Sequence, residues 1–355
     1  MKKLVIGGTL AGVALLAFGQ SSSVAVYGAV DGFVAAYKGS SNTRRLTEGG
    51  IAASHLGFRG DENLGGGLSA YFDIQAGFGL DTGNGTLPST GSAAGGLQFT
   101  RQSLVGLSTP AGKLSLGRQY TPFFRGLVRH DPLGNNASFA TSTLSNQVEG
   151  QTGYIFGSQG VRAENSVLYV TPATLPVEVQ LMYAPGEASN RSGNFLSGLL
   201  GYKLGSFSTS YAYQRKNSGT AAAPVASPVK SSSQIIGFNY SPQGWMVGAT
   251  YARNTVDLPG SLSSRVLNVG GRYDLAGPHS VTLSWSKRDL VDSPNDTSAY
   301  AIRYDYRLSK RTTVYGGYVA VQNSGRAGIA INLTTITPNS GHDGSVTMLG
   351  LMHRF

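Results

Sequence analysis

Apolar and polar residues alternate with a period of two through most of this chain, the repeat of a strand with one apolar and one polar face. The clearest case is 68–78, where Leu68, Ala70, Phe72, Ile74, Ala76 and Phe78 oppose Ser69, Tyr71, Asp73, Gln75 and Gly77. Trp245, Val247, Ala249 and Tyr251 oppose Met246, Gly248, Thr250 and Ala252 in the same way. Tyr300, Ile302, Tyr304 and Tyr306 oppose Ala301, Arg303, Asp305 and Arg307. The rhythm predicts strands at 24–37, 55–59, 68–78, 98–108, 113–120, 164–171, 177–185 and 195–203. It continues at 207–216, 233–241, 245–255, 265–274, 279–289, 297–307, 312–322 and 345–355, about sixteen in all. Residues 38–50 read as a polar loop, and the segments 98–108 and 164–171 do not resolve into two clean faces.

The connections alternate between short turns, such as Leu204-Gly205-Ser206 and Pro242-Gln243-Gly244, and long polar segments. Segregating all long loops at one end has no purpose in a soluble sandwich. It is the habit of an outer-membrane barrel, with short periplasmic turns, longer external loops and an even strand count. The polar set then faces a water-filled lumen, because so many strands enclose more space than side chains can fill. The fold class predicted is therefore all-β, a 16-stranded antiparallel transmembrane β-barrel.

One stretch breaks the rhythm. From Arg118 to Arg162 there is no sustained period, yet the segment holds Phe123, Phe124, Phe139, Tyr154 and Phe156 beside Arg125, Arg129 and His130. A loop of that length in a compact protein is usually functional. It reads as an ordered loop folded into the middle of the structure.

The amino terminus changes the picture of the mature chain. Met1-Lys2-Lys3 precedes an apolar run from Leu4 to Phe18, and Ala17-Phe18-Gly19 places small residues where a signal peptidase reads. This predicts a signal peptide over 1–19 and a mature barrel over 20–355. The apolar run is shorter than the ~20 residues a spanning helix needs. Net charge is +10 over the 355 residues, and loss of Lys2 and Lys3 leaves +8. With no Lys/Arg run, a nucleic-acid partner is not indicated. The absence of cysteine excludes a disulfide framework.

Several blocks carry a family resemblance. They are Ser23-Val24-Ala25-Val26-Tyr27-Gly28; the run from Ser54 through Arg59-Gly60-Asp61-Glu62-Asn63-Leu64 to Leu68; and Arg101 to Leu107. Gly117-Arg118-Gln119-Tyr120-Thr121-Pro122, Arg162 with Asn165-Ser166-Val167, and Gly350 to Phe355 complete the set. Together they resemble the Gram-negative porins of the beta-proteobacterial type, in order and over the whole mature chain. The resemblance implies a trimer, a third external loop of about 121–162 that folds inward to narrow the pore, and a terminal phenylalanine, Phe355, as assembly signal. It implies constriction roles for Arg101 and Arg162. At the position of His55 the family prefers arginine, so the local field here depends on a ring that is mostly neutral at pH 7.

Conduction needs an opening, a polar lining and a field rather than catalytic groups. Alternation points His55 and Arg59 inward, with Arg303 and Arg307. Arg118 alternates outward with Leu114 and Leu116 but adjoins the loop, and it is counted on the basic side. Asp131 and Glu149 are the expected acidic side, so that a transverse field crosses the slot; each arginine has the alternative of pinning the loop through a carboxylate. Gly106 to Lys113 only superficially resembles a phosphate loop, because the spacing is one residue too long and Leu114 replaces the hydroxyl. The five histidines are scattered without metal-ligand spacing. The expected function is a non-enzymatic, cofactor-free, anion-favouring pore for small hydrophilic solutes and ions. Its expected partners are outer-membrane lipid, lipopolysaccharide and two further copies of itself. The alternative is a substrate-specific uptake channel for small organic anions.

Overall fold

The computed structural model describes residues 22–39, 41–86, 93–94, 96–134, 138–142, 158–220, 222–258, 262–329 and 341–355. The signal peptide expected over 1–19 and the acidic candidate Glu149 lie outside these residues. The barrel strands are β1 (Ser22–Lys38), β2 in two pieces (Thr43–Glu48 and His55–Gly65), β3 (Leu68–Gly77), β4 (Gln102–Thr109) and β5 (Gly112–Tyr120). After the loop come β6 (Arg162–Val170), β7 (Val177–Ala184), β8 (Phe195–Leu204), β9 (Phe207–Asn217) and β10 (Lys230–Tyr240). The last six are β11 (Trp245–Val256), β12 (Leu262–Asp274), β13 (His279–Leu290), β14 (Thr297–Arg307), β15 (Thr312–Asn323) and β16 (Gly344–Arg354).

Each strand pairs antiparallel with the next, and β16 pairs back onto β1 from Ala29↔Arg354 to Lys38↔Ser345. The ring is closed, as it must be in lipid, where each unsatisfied backbone group costs several kcal/mol. Two further bonds extend the seam: Gly28 N–H donates to the Phe355 carbonyl and Phe355 N–H to the Gly28 carbonyl, both at 3.2 Å. A Cβ on residue 28 would lie 2.6 Å from the Phe355 ring, so glycine there lets the terminal ring lie against β1.

The expected faces are present. Leu181, Leu200, Ile236, Val247, Leu283 and Ile302 are exposed, while Gln180, Gln214, Thr250, Asn268 and Thr282 of the alternate set are buried within the barrel. Tyr202, Trp245, Tyr273 and Tyr306 stand exposed near the short-turn end, forming one aromatic girdle. Turns at that end hold two to six residues. One of the two-residue turns joins Leu204 to Phe207, with Gly205 at φ 56°, a backbone region that disfavours a Cβ.

Three local expectations change. Residues 43–48, read as loop, form a strand paired with β1 from Gly32↔Glu48 to Tyr37↔Thr43. Its sequence TRRLTE carries too little apolar pattern to show a period. Pairing with β1 passes from this piece to His55–Gly65, and the gap is held by Asp31, whose carboxylate accepts the amides of Ile51 and Ala52 at 2.7 Å. β4 starts at Gln102 rather than 98. The unclear faces of β6 have a geometric cause: its register against β5 shifts between Gly117 and Gln119, and Asn165 sits at φ 51°. The extra residue of a bulge moves subsequent side chains to the opposite face.

Candidate functional site

After β5 the chain enters helix α1 (Pro122–Arg129). Thr121 caps it, accepting the Phe124 amide on Oγ1 at 3.1 Å, and Pro122 occupies the first turn, where its missing N–H costs nothing. The same hydroxyl donates to the Gly160 carbonyl at 2.9 Å, and the Thr121 amide bonds Val161, tying the two ends of the loop together. Arg129 in the last turn suits the negative end of the helix dipole and forms an ion pair with Glu178 at 2.7 Å.

The loop lies against the inner wall. Phe123 and Leu127 are fully buried with Leu199, Ala212 and Ile235, which are apolar residues on the lumen side of β8, β9 and β10. Burying two such side chains contributes about 1.5–3 kcal/mol each. The Phe123 amide donates to Ser197 Oγ at 3.2 Å. Further along, His130 lies 2.8 Å from Ser210 Oγ and 3.3 Å from Asn239 Oδ1. Because Asn239 Oδ1 can only accept, Nδ1 carries the proton and Nε2 accepts from Ser210. A Cβ at Gly237 would come within 2.5 Å of the His130 ring, and one at Gly248 within 2.1 Å of its carbonyl. Thr141 bonds Ser284 at 2.7 Å and Asn268 at 3.0 Å, and Phe139 meets Tyr315 edge-on. Burial pushes His130 down to about 4, so it is neutral at pH 7.

Asp131 was expected on the acidic side of the slot, and here the expectation is corrected. Its side chain is buried inside the loop, accepting the Leu133 amide at 2.9 Å and the Ser142 hydroxyl. Burial pushes its carboxyl up to about 6. It holds the loop's shape and presents no carboxylate to water.

Arg101 and Arg162 converge. Their Nη2 atoms reach the Tyr120 hydroxyl at 3.2 and 2.9 Å, and the Arg162 guanidinium lies 4.5 Å from the ring centroid. Tyr120 in turn stacks on Phe124 of α1 at 5.4 Å. Among the described residues neither arginine forms an ion pair, and each Nε lacks a partner. The Arg125 side chain, on the other face of α1 from Leu127, also makes no ion pair or hydrogen bond among the described residues, its backbone amide bonding the Thr121 carbonyl at 3.1 Å. Two guanidinium groups therefore meet on one phenol oxygen, with no carboxylate partner among the described residues.

Other predicted residues separate from this pair. Arg118 is taken by Glu164 at 2.8 Å and by the Thr100 carbonyl, so it is spent on a contact rather than on the basic side of the slot. His55 donates from Nδ1 to the Ala53 carbonyl at 2.8 Å and meets Tyr27 edge-on, while Arg59 covers the Tyr27 ring at 4.9 Å. The Tyr27 hydroxyl donates to Asp73, which also accepts from Gln102 at 3.1 Å. Arg303 is held by Asp305 at 2.8 Å and lies over Phe139, pinning the loop; Arg307 comes within 3.8 Å of Asp274. Sequence reasoning missed Tyr120, Arg125 and the apolar docking wall. The wall left a trace in Leu199-Leu200 and Ile235-Ile236, adjacent apolar pairs that break the alternation.

A model of the Gram-negative porin family matches residues 8–326. Outer membrane porin protein 32 of Delftia acidovorans is 26 % identical over 369 residues, covering 100 % of each chain. Among solved structures, an anion-selective porin from Comamonas acidovorans superposes with a TM-score of 0.83 at 24 % identity, over 94 % of this chain and 100 % of that one. In-vitro folded OmpT of Vibrio cholerae in its trimer form gives a TM-score of 0.64 at 13 % identity, over 94 % of this chain and 100 % of that one. A closed 16-stranded barrel, a polar interior crossed by a loop, and a family match over most of the sequence place this chain in the Gram-negative porin family, as a diffusion pore of the outer membrane.

Proposed function

We propose that the loop from Thr121 narrows the pore and that the gap beside Arg101 and Arg162 favours small anions. The observation that carries this is the pair of guanidinium groups on Tyr120 with no carboxylate partner among the described residues. Arg125 adds to the same sign. The nearby carboxylates are otherwise engaged: Asp131 is buried, Asp73 is hydrogen-bonded, and Asp305 holds Arg303. The field is then set by basic groups rather than by a balanced transverse pair. The anion selectivity of the Comamonas porin supports the same reading. The test is reversal potential of the purified protein in a planar bilayer under a KCl gradient; cation preference would refute it. His55 tunes this field, so His55→Arg should raise anion preference at pH 7.5. An unchanged reversal potential in that variant would remove His55 from the mechanism.

The same reading includes export through a signal peptide of residues 1–19 and assembly as a homotrimer in contact with outer-membrane lipid and lipopolysaccharide. On unheated gels the protein should run near three times the mass of the 20–355 chain, collapsing to that chain on boiling. A monomer by light scattering in mild detergent would count against the trimer.

Phe355 is the proposed assembly signal. It closes the seam on Gly28 and, with Leu349 and Leu351, forms the exposed apolar face of β16. Deleting Phe355 removes two interstrand bonds where each unpaired group costs several kcal/mol in hydrocarbon. Outer-membrane levels should fall sharply in fractionated cells, and normal levels would reject the role.

A further inference from the structure

On the lumen face of the first strands an arginine and an aspartate stand opposite one another without joining. Arg59 of β2 and Asp73 of β3 are direct cross-strand partners. Opposite charges in that position ordinarily attract, and a guanidinium matches a carboxylate with two parallel bonds. Among the described residues no ion pair forms between them. Tyr27 of β1 engages each of them instead. Its hydroxyl donates to Asp73, and its ring carries the Arg59 guanidinium 4.9 Å from the centroid.

The surrounding residues hold the ring in this place. Tyr27 pairs with Gly57, where a Cβ would lie 2.5 Å from the ring, so the missing side chain lets the ring lie across β2 and reach β3. Gln75 donates to the Tyr27 hydroxyl at 2.6 Å, which leaves the phenol proton for Asp73. Gln102 donates to the second Asp73 oxygen at 3.1 Å. Both carboxylate oxygens are therefore met by uncharged donors. Arg59 is exposed, and its guanidinium makes no hydrogen bond among the described residues. The other acid on this face of β2, Asp61, lies about 7 Å further along the strand. It is exposed at the rim, where an ion pair is worth little. His55 meets the same ring edge-on.

We propose that Tyr27 is a selectivity-setting residue, which keeps Arg59 off Asp73 and so leaves the guanidinium available to permeating anions. A ring face attracts a cation, and a phenol polarised by a carboxylate attracts it more strongly. Direct pairing with Asp73 would instead use the donors that a passing anion needs. Net charge is the same in both arrangements, but its placement is not. With Tyr27 present the positive end stands in the channel and the negative end is sealed against the wall, which favours anions at close range. The proposal rests on the anion-favouring reading of the pore and adds a second contact, nearer the short-turn end than Arg101.

The test is the chloride-to-potassium permeability ratio of the purified protein in planar bilayers, measured for Y27L with and without D73N. Y27L alone should lower the ratio about twofold, the order of effect of one unit charge about 7 Å from an ion in water. In the D73N background the same exchange should leave the ratio where D73N alone puts it, because no carboxylate remains to capture Arg59. An equal drop in both backgrounds would make Tyr27 a packing residue, and no drop in the wild-type background would leave it without a part in selectivity; either result overturns the proposal. Heat-modifiable mobility on gels shows that each variant has folded. Should Y27L not fold, Y27F keeps the ring over Gly57 and loses only the donor to Asp73. The same comparison then applies, with a smaller drop and the same overturning results. Cation preference in the wild type refutes the pore reading, whereas the dependence of the Y27L shift on Asp73 decides this proposal, so the two fail separately.

Discussion

Exchanging Arg101 and Arg162 together for glutamate should turn an anion-favouring pore into a cation-favouring one. Each exchange moves the local charge by about two units at neutral pH. At an effective dielectric of about 20, a unit charge 4 Å from a passing ion is worth about 4 kcal/mol, several times the thermal energy. Charges on the external loops are screened beyond roughly 8 Å at physiological salt and cannot offset this. The glutamine pair should only weaken the anion preference, because it removes charge without reversing it. Reversal potentials under a KCl gradient distinguish the three proteins, and retention of heat-modifiable mobility on gels shows that each has folded. Persistent anion preference in the glutamate pair would place selectivity elsewhere, with Arg125 the next candidate.

Asp131→Asn should make the loop acid-labile. Two neighbouring groups in the docked loop have opposite shifts. His130 is lowered from 6.5 to about 4, so docking keeps its full contribution above 6.5 and loses it as pH falls through 4. Asp131 is raised from 3.8 to about 6, so its contribution is complete below 3.8 and is lost as pH rises through 6. Each shift of roughly two units corresponds to about 3 kcal/mol. Between pH 4 and 6 the two nearly cancel, and wild-type conductance should change little. In Asp131→Asn only the histidine remains to titrate, and docking weakens by about 3 kcal/mol between pH 6.5 and 4. Single-channel records at pH 4 should then show larger, noisier openings that are absent at pH 7. His130→Gln should behave in the opposite sense, with the loop loosening as pH rises through 6. A pH-independent record from Asp131→Asn would show that the loop is held by its apolar contacts alone.

The strands were legible because a barrel in lipid puts nearly every outward residue against hydrocarbon and every inward one against water, so alternation survives to the ends. It failed at 43–48, where the strand is charged on both faces, and around Asn165, where a bulge reverses the phase. The site was legible only in part. Arg101 and Arg162 came from family resemblance, and nothing in spacing could bring both to Tyr120, because Arg101 stands just before β4, Tyr120 ends β5 and Arg162 follows a long loop. Asp131 shows why a carboxylate in a loop is a poor guide. Its identity is the same whether it faces water or caps Leu133, and only the folded loop decides. Leu199 and Ile235 were visible as departures from alternation, but their meaning depended on knowing that Phe123 and Leu127 cover them.

The loop's docking partners also set an order of assembly. Residues 121–142 precede in the chain almost all of the wall they rest on. His130 waits for Asn239, 109 residues later, and Thr141 for Ser284, 143 residues later. Contacts between residues so distant in the chain carry a large closure entropy and form slowly. The loop therefore cannot complete its docking until the strands that carry Asn239 and Ser284 have joined the wall.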